Sequence, residues 1–155
     1  MAKTSIVSLV ILFLSLASSD DSVHSLLRDH GLPAGLLPKT VHSFSLEPST
    51  GLLAVQLHGP CIAQYERSPV RFDQEINANL TFGSLKGVKG LTQEELFLWL
   101  PIKEILVTDP KSGVILFDIG MAHKQLSVSI FENPPDCKED GGPELRTAAG
   151  FQEQR

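Results

Sequence analysis

The chain has 155 residues, 42% of them apolar and 20% charged, with a formal net charge of -5 and a pI near 5.5. This length and composition fit one globular domain with a hydrophobic core, and they argue against a largely disordered chain. The mild acidity argues against nucleic acid or an anionic membrane as a main partner. Both need clustered Lys and Arg, and the 13 basic residues here are scattered.

Residues 1–19 have the pattern of a secretory signal peptide. Lys3 precedes the apolar run Ile6–Leu16, and residues 17–19 are small, as a cleavage site requires. The run is shorter than the roughly 20 residues that span a bilayer, and no later stretch is as apolar, so no transmembrane segment is expected. We expect a mature chain that begins near Asp20 and is secreted to the extracellular space (apoplast) or carried to a vacuole.

A short helix and an apolar loop are predicted next. Residues 22–30 carry apolar side chains at helical spacing, and Gly31 can end the helix. His30 lies on the apolar face, where a packed or capping role is favoured over a ligand role. Residues 31–38 contain two prolines and two glycines, so they are predicted to form a loop, and their apolar character indicates packing on the sheet.

The strongest signal in the chain is the alternating stretch Val70–Phe82. Its odd positions are polar and its even positions are apolar except Gln74, which is typical of a half-buried β-strand. At about 3.3 Å per residue the stretch would be about 40 Å long, so we expect it to bend. The polar interior position within residues 73–75 predicts a β-bulge there.

Two hairpins are predicted on either side of this strand, joined by residues 47–51 and 109–113. Each loop has an acid-Pro-x-(Ser/Thr)-Gly pattern, in which Pro suits the first turn position and Gly can adopt positive φ at the exit. An internal duplication and convergent turn chemistry both explain the repeat. The predicted strands are Val41–Leu46 with Leu52–Leu57 and Ile102–Thr108 with Val114–Ile119.

The segment between the hairpins is harder to interpret. Gly83–Gly90 is punctuated by glycine and is predicted to be a loop. In Leu91–Leu100, a capping box favours helix while the apolar run after it favours strand. We expect a helical turn over Thr92–Glu95 that leads into a strand buried on both faces.

The remaining segments complete one domain over residues 20–137. Short strands are predicted over Cys61–Glu66 and Met121–Ser127, followed by an apolar contact at Val128–Phe131. Residues 138–155 are charged and glycine-containing, so a disordered acidic tail is expected. Apolar residues on both sides of Val114–Ile119 predict a second layer, and we expect a mainly β protein with a coiled antiparallel sheet.

Two further features agree with a secretory route. Cys61 and Cys137 are the only cysteines, and in an oxidising compartment a disulfide is their simplest use, with two buried thiols as the alternative. Asn79-Leu80-Thr81 is a glycosylation acceptor triplet, and Asn79 lies on the polar face of the long strand.

The chain has no recognisable catalytic, cofactor or metal motif. Gly-x-Ser-x-Gly, His-Glu-x-x-His and Cys-x-x-Cys are all missing from the sequence. An esterase-like hydrolase built from distant residues stays open as the less favoured alternative, because five histidines are present. His58 and Cys61 are too few to hold a metal, and Asp118 is expected at a strand rim.

A surplus of large apolar residues on the sheet favours a binding module. They could line a concave side that holds a small apolar or amphipathic, lipid-like ligand; the alternative is that they only fill the core. A cell-wall or protein interaction through the polar face is a third hypothesis, and no protein partner can be named. The candidate ligand face consists of Phe72, Ile76, Leu80, Phe82, Phe97, Trp99 and Phe117.

These residues resemble the plant proteins grouped as domain of unknown function 538. The resemblance extends over about Ser22 to Cys137. It is carried by Gly31-Leu32-Pro33 with Leu36-Leu37-Pro38, Thr50-Gly51, Cys61, Leu96–Pro101, Asp109-Pro110 with Ser112-Gly113, and Phe131-Glu132 through Pro134-Pro135 to Cys137.

The resemblance implies an all-β, strongly twisted half-barrel with an N-terminal helix, in a plant secretory protein. The family more often continues an alternating strand over Gly90–Glu95, where this chain has the capping box. The family has no settled activity, and lipid-like ligands have been suggested for it by analogy with bactericidal permeability-increasing proteins.

Overall fold

The computed structural model describes residues 22–140, so the predicted signal peptide and most of the predicted tail lie outside the described residues. Within that range the chain is mainly β. The elements are α1 (Ser22–Asp29), a 3-10 helix (Ala34–Leu36), β1 (Ser43–Glu47), β2 (Leu52–Gln56), β3 (Cys61–Tyr65), β4 (Ser68–Thr81), β5 (Ser84–Glu95), β6 (Leu98–Pro101), β7 (Glu104–Leu106), β8 (Val114–Asp118), β9 (His123–Ser127), a second 3-10 helix (Val128–Phe131) and β10 (Cys137–Glu139).

The strands form one twisted antiparallel sheet, which confirms the predicted half-barrel with a short N-terminal helix. Its main path runs β1-β2-β4-β5-β7-β8-β9, and its two ends do not pair with each other. β3 pairs with β4 and β10, and β6 pairs with β5. Both predicted hairpins are present, as β1–β2 and β7–β8.

The long strand β4 bends where its alternation fails, as predicted. Along one edge it pairs with β3 through residues 68–72 and with β2 through residues 75–79. Along the other edge, the register with β5 shifts after Phe72. Gly90 of β5 has a φ of 99°, and a Cβ there would lie 2.5 Å from the Glu75 carbonyl oxygen. Glycine therefore allows the two backbones to approach closely at the bend.

The helix and the loop after it cover the concave side of the sheet. Val23 and Leu27 of α1 are buried, and His30 Nδ1 donates to the Leu26 carbonyl at 2.9 Å, which caps the last turn. Residues 32–38 are buried throughout. The predicted packed apolar loop and the capping role of His30 are therefore confirmed.

The prediction of a loop over Gly83–Gly90 is wrong, and so is the helical turn over Thr92–Glu95. Residues 84–90 of the first segment and all of the second belong to β5, a strand of 12 residues, and only Gly83 lies in the turn before it. β4 lies along one edge of β5, while β6 and β7 share the other. Tertiary hydrogen bonding on both edges therefore outweighs the local capping box and the glycines.

The prediction of a strand buried on both faces after residue 95 is also wrong. Leu96 and Phe97 alone form the β5–β6 turn, with φ values of 52° and 72°. They are 84% and 92% exposed, and Leu98 is 59% exposed. In β8 only one face is buried, because Val114 and Leu116 are half-buried.

The C-terminal boundary of the domain lies beyond the predicted one. Residues 137–139 form β10, which pairs with β3, and the Asp140 amide donates to the Pro60 carbonyl at 3.0 Å. An Asp140 carboxylate oxygen lies 3.1 Å from Arg71 Nε. The tail predicted from Lys138 therefore begins within ordered structure, and residues 141–155 lie outside the described residues.

The predicted disulfide is confirmed and joins β3 to β10. Cys61 and Cys137 are bonded, with their Cα atoms 5.4 Å apart. This separation is typical of protein disulfides. The bond connects the C-terminal strand to the sheet across 76 residues of sequence.

Candidate functional site

A cleft of about 280 Å³ opens at one end of the half-barrel, between the β3–β4 turn, β8, β9 and the second 3-10 helix. We call it the end cleft. Its volume is close to the lower limit of about 300 Å³ for ligand sites and would hold about nine waters. It is lined by Tyr65, Glu66, Arg67, Ser68, Val70, Gln93, Phe117, Leu126, Ile130 and Phe131.

Three aromatic rings form one wall of the end cleft. The Phe131 ring centroid lies 4.8 Å from that of Tyr65 and 5.2 Å from that of Phe117, both in tilted contact. The Tyr65 hydroxyl donates to the Gly35 carbonyl at 2.7 Å. Burial raises the pKa of the Tyr65 hydroxyl far above its ordinary value, so it stays protonated. Tyr65 therefore acts as a fixed donor and not as an acid or base.

The position of this wall depends on Gly35. A Cβ at Gly35 would lie 2.3 Å from the Phe131 carbonyl oxygen and 2.6 Å from that of Asn133. The N-terminal loop and the chain after the second 3-10 helix are thus in backbone contact, which only glycine permits. This contact holds Phe131 against Tyr65.

Gln93 is the unusual residue of the end cleft. It is 1% exposed, and its Nε2 lies 3.4 Å from Glu95 Oε1. Its Oε1 is buried and has no hydrogen-bond partner among residues 22–140. An unsatisfied buried acceptor costs about 1–3 kcal/mol, and a ligand that donates a hydrogen bond would recover that free energy.

Glu95 is fixed by an ion pair with the opposite edge of the sheet. Lys124 Nζ of β9 lies 2.6 Å from Glu95 Oε1, and both side chains are about one-third exposed or less. The pair connects β9 to the end of β5. It therefore helps to hold the two sides of the end cleft in place.

The concave side, where the sequence predicted a ligand, is filled. Phe72, Ile76 and Leu80 are buried in the core. Leu36 and Leu37 of the N-terminal loop line the same small cavity as Ile76. The space left there is about 10 Å³, at the limit of a single water. Three members of the predicted ligand face therefore belong to the core.

The other four members of that face lie apart from one another. Phe82 is 71% exposed just after β4, and Phe97 is in the β5–β6 turn. Trp99 is half-buried, with the Arg71 guanidinium carbon 4.5 Å from its ring centroid. Phe117 alone of the seven lines the end cleft.

Gln93, Leu126 and Ile130 were missed by sequence reasoning. Gln93 fell in a segment interpreted as a helical turn, although Leu91 and Gln93 alternate inward in β5. A polar residue at an inward position of a strand is the signal that could have found it. Leu126 and Ile130 come from elements that only the tertiary fold brings to Gln93.

The register of the predicted glycosylation strand is confirmed. Leu80 is buried and Asn79 is on the opposite face, where its Nδ2 donates to the Thr50 carbonyl at 2.9 Å. Whether Asn79 carries a glycan stays a prediction.

The residues considered for catalysis or metal binding have structural surroundings. Cys61 is oxidised, and the described residues contain no group of three or more His, Cys, Asp or Glu that could hold a metal. Asp118 ends β8 as expected, accepts from the Gly120 amide at 2.9 Å and lies 3.9 Å from His123 Nε2. No described helix is long and apolar enough to cross a membrane.

The fold and the end cleft define a mainly β, disulfide-bonded half-barrel with a semi-enclosed cavity at its end. A family model described as protein of unknown function, DUF538, matches residues 23–132, which is most of the chain. The chain therefore belongs to this family, as its motifs predicted. Comparison with curated proteins and with solved structures gave no match.

Proposed function

We propose that the protein binds a small amphipathic molecule in the end cleft and does no covalent chemistry on it. The observation that carries the proposal is Gln93, a residue of the end cleft whose Oε1 is buried with no hydrogen-bond partner among residues 22–140, beside six aromatic and aliphatic lining residues. Ligand sites typically combine such apolar walls with a few polar groups that set orientation.

The chemistry of the end cleft specifies the ligand class. Tyr65, Phe117 and Phe131 suit a ligand with an apolar part. Burying apolar surface of the ligand against these rings is favourable by about 25 cal/mol per Å². Gln93 Oε1 accepts hydrogen bonds, so the ligand requires a hydroxyl or N–H group. Glu66 and Arg67 are exposed at the rim, where a polar end can stay in water.

A matched pair of ligands tests the proposal. Calorimetry with a medium-chain alcohol and the isomeric methyl ether compares molecules of the same formula, of which only the alcohol has an O–H donor. We expect the alcohol to bind about 5–150-fold more tightly, because the ether leaves the Gln93 acceptor unsatisfied.

Gln93→Met is the control variant, since Met has a similar shape and no acceptor amide. It should bind alcohol and ether with equal affinity. Equal binding of the two by the unaltered protein, or no binding of any hydroxylated apolar compound, would contradict the proposal.

The route that we propose for the protein is secretory, to the extracellular space or a vacuole, with a glycan on Asn79. The Cys61–Cys137 bond supports an oxidising compartment. N-terminal sequencing should find a mature end near Asp20, and glycosidase treatment should lower the apparent mass. Thr81→Ala should abolish that mass change and Thr81→Ser should keep it, while both leave Asn79 in place.

A further inference from the structure

The β5–β6 turn presents three neighbouring large apolar side chains to solvent. Leu96, Phe97 and Leu98 are 84%, 92% and 59% exposed, and we call these three residues the apolar tip. Single exposed apolar residues are common on soluble proteins, whereas a contiguous group at the end of a projecting hairpin indicates an interaction site.

The backbone of the apolar tip is strained for the residues it holds. Leu96 and Phe97 have φ values of 52° and 72° in a two-residue turn. Two-residue hairpin turns with positive φ at both positions strongly prefer Asn-Gly, and bulky residues there are outliers. Such strain in a bulky, exposed pair is typical of functional positions.

The apolar tip lies at the same end of the molecule as the end cleft. Val70 of β4 pairs with Gln93 of β5, and both strands continue from there to their turns. The β3–β4 turn, with Glu66 and Arg67, therefore lies beside the apolar tip.

The charges around the apolar tip include no basic excess. The neighbouring segments carry the acidic residues Glu66, Glu94, Glu95 and Asp140 and the basic residues Arg67, Arg71 and Lys124. Arg71 is paired with Asp140 and Lys124 with Glu95, which leaves no excess of basic side chains. An anionic membrane would therefore gain little electrostatic attraction here.

We infer that the apolar tip docks on a zwitterionic lipid surface, with Leu96, Phe97 and Leu98 at the boundary between headgroups and acyl chains. A stable protein interface needs about 800 Å² on each partner, far more than three side chains on a narrow turn provide. A fluid lipid surface can deform around a convex apolar group of this size. Half-buried Trp99 follows Leu98 in β6, and tryptophan is enriched at membrane interfaces.

This inference goes beyond ligand binding in the end cleft and does not depend on it. Co-sedimentation of the mature, disulfide-bonded protein with phosphatidylcholine vesicles tests it. We expect saturable partition that falls about tenfold or more in the double variant Leu96→Asn/Phe97→Gly.

We expect the double variant to stay folded, because Asn-Gly is the preferred sequence for this turn. Met121→Ser is the matched control, since Met121 is 76% exposed in the β8–β9 turn, and it should partition like the unaltered protein. The inference is overturned if the unaltered protein does not bind phosphatidylcholine vesicles or binds only anionic ones. It is also overturned if the double variant binds as tightly as the unaltered protein.

Discussion

At the scale of single residues, the end cleft depends on two positions that a core would not otherwise favour. Gln93 buries a carbonyl oxygen that has no hydrogen-bond partner among residues 22–140, and Gly35 lets two backbone segments touch beside Phe131. Natural proteins accept such local costs where function requires them. Each position gives a stability prediction that needs no ligand.

Replacing Gln93 with Met should raise the free energy of unfolding of the ligand-free protein by about 1 kcal/mol. The change removes an unsatisfied buried acceptor and loses only the 3.4 Å contact to Glu95. Urea denaturation measures this difference. A loss of stability would instead assign Gln93 a purely structural role.

Replacing Gly35 with Ala should lower the free energy of unfolding by about 3 kcal/mol. The added Cβ would lie 2.3 Å from the Phe131 carbonyl oxygen, so the backbone must move. Gly59→Ala is the control, because a Cβ there meets nothing within 4 Å. If the two variants had equal stability, the close approach at Gly35 would be refuted.

At the scale of elements, the alternation of apolar and polar residues predicted strands correctly wherever one face of the strand is buried and the other is exposed to solvent. The alternation from Val70 to Thr81 gave a correct register and a correct break, because both depend on which side chains leave water, whereas Phe82 lies beyond β4 and is exposed. β5 was missed because its strand character comes from partners on both edges, which sequence patterns do not reveal. Its glycines allow bends within the strand and do not end it.

The β5–β6 hairpin gives a prediction at this scale. Leu96→Asn/Phe97→Gly should raise the free energy of unfolding by about 1–2 kcal/mol, because positive φ values of 52° and 72° suit Asn and Gly. Chemical denaturation is the measurement. A less stable double variant would show that the exposed side chains support the fold, contrary to their exposure.

At the scale of the whole molecule, the disulfide fixes the C-terminal strand next to the end cleft's own strand, β3. β10 pairs with β3 over three residues, and Cys61 and Cys137 are bonded within that ladder. Arg71 lies between Trp99 and Asp140. These two contacts connect the end of β10 to the β5–β6 hairpin. The family motifs and the two cysteines predicted this architecture, whereas the end cleft, built from five separate segments, could not be read from local sequence.

The double variant Cys61→Ser/Cys137→Ser should lower the free energy of unfolding by up to about 4.5 kcal/mol. The bond spans 76 residues, and closing a loop of that length restricts the unfolded chain. Thermal unfolding with and without reductant provides the same comparison without mutation. An unchanged melting temperature in reductant, with the bond verified as broken, would refute this stabilising role.

We propose that the end cleft, and not the concave side, binds an amphipathic ligand. The most direct test is nuclear magnetic resonance of the ¹⁵N-labelled mature protein during titration with a medium-chain alcohol. We predict saturable shifts of the Gln93 side-chain amide and of the Phe131 backbone amide, while the amide of Ile76 stays unchanged. Shifts centred on Ile76, or no saturable shift at either place, would contradict the claim.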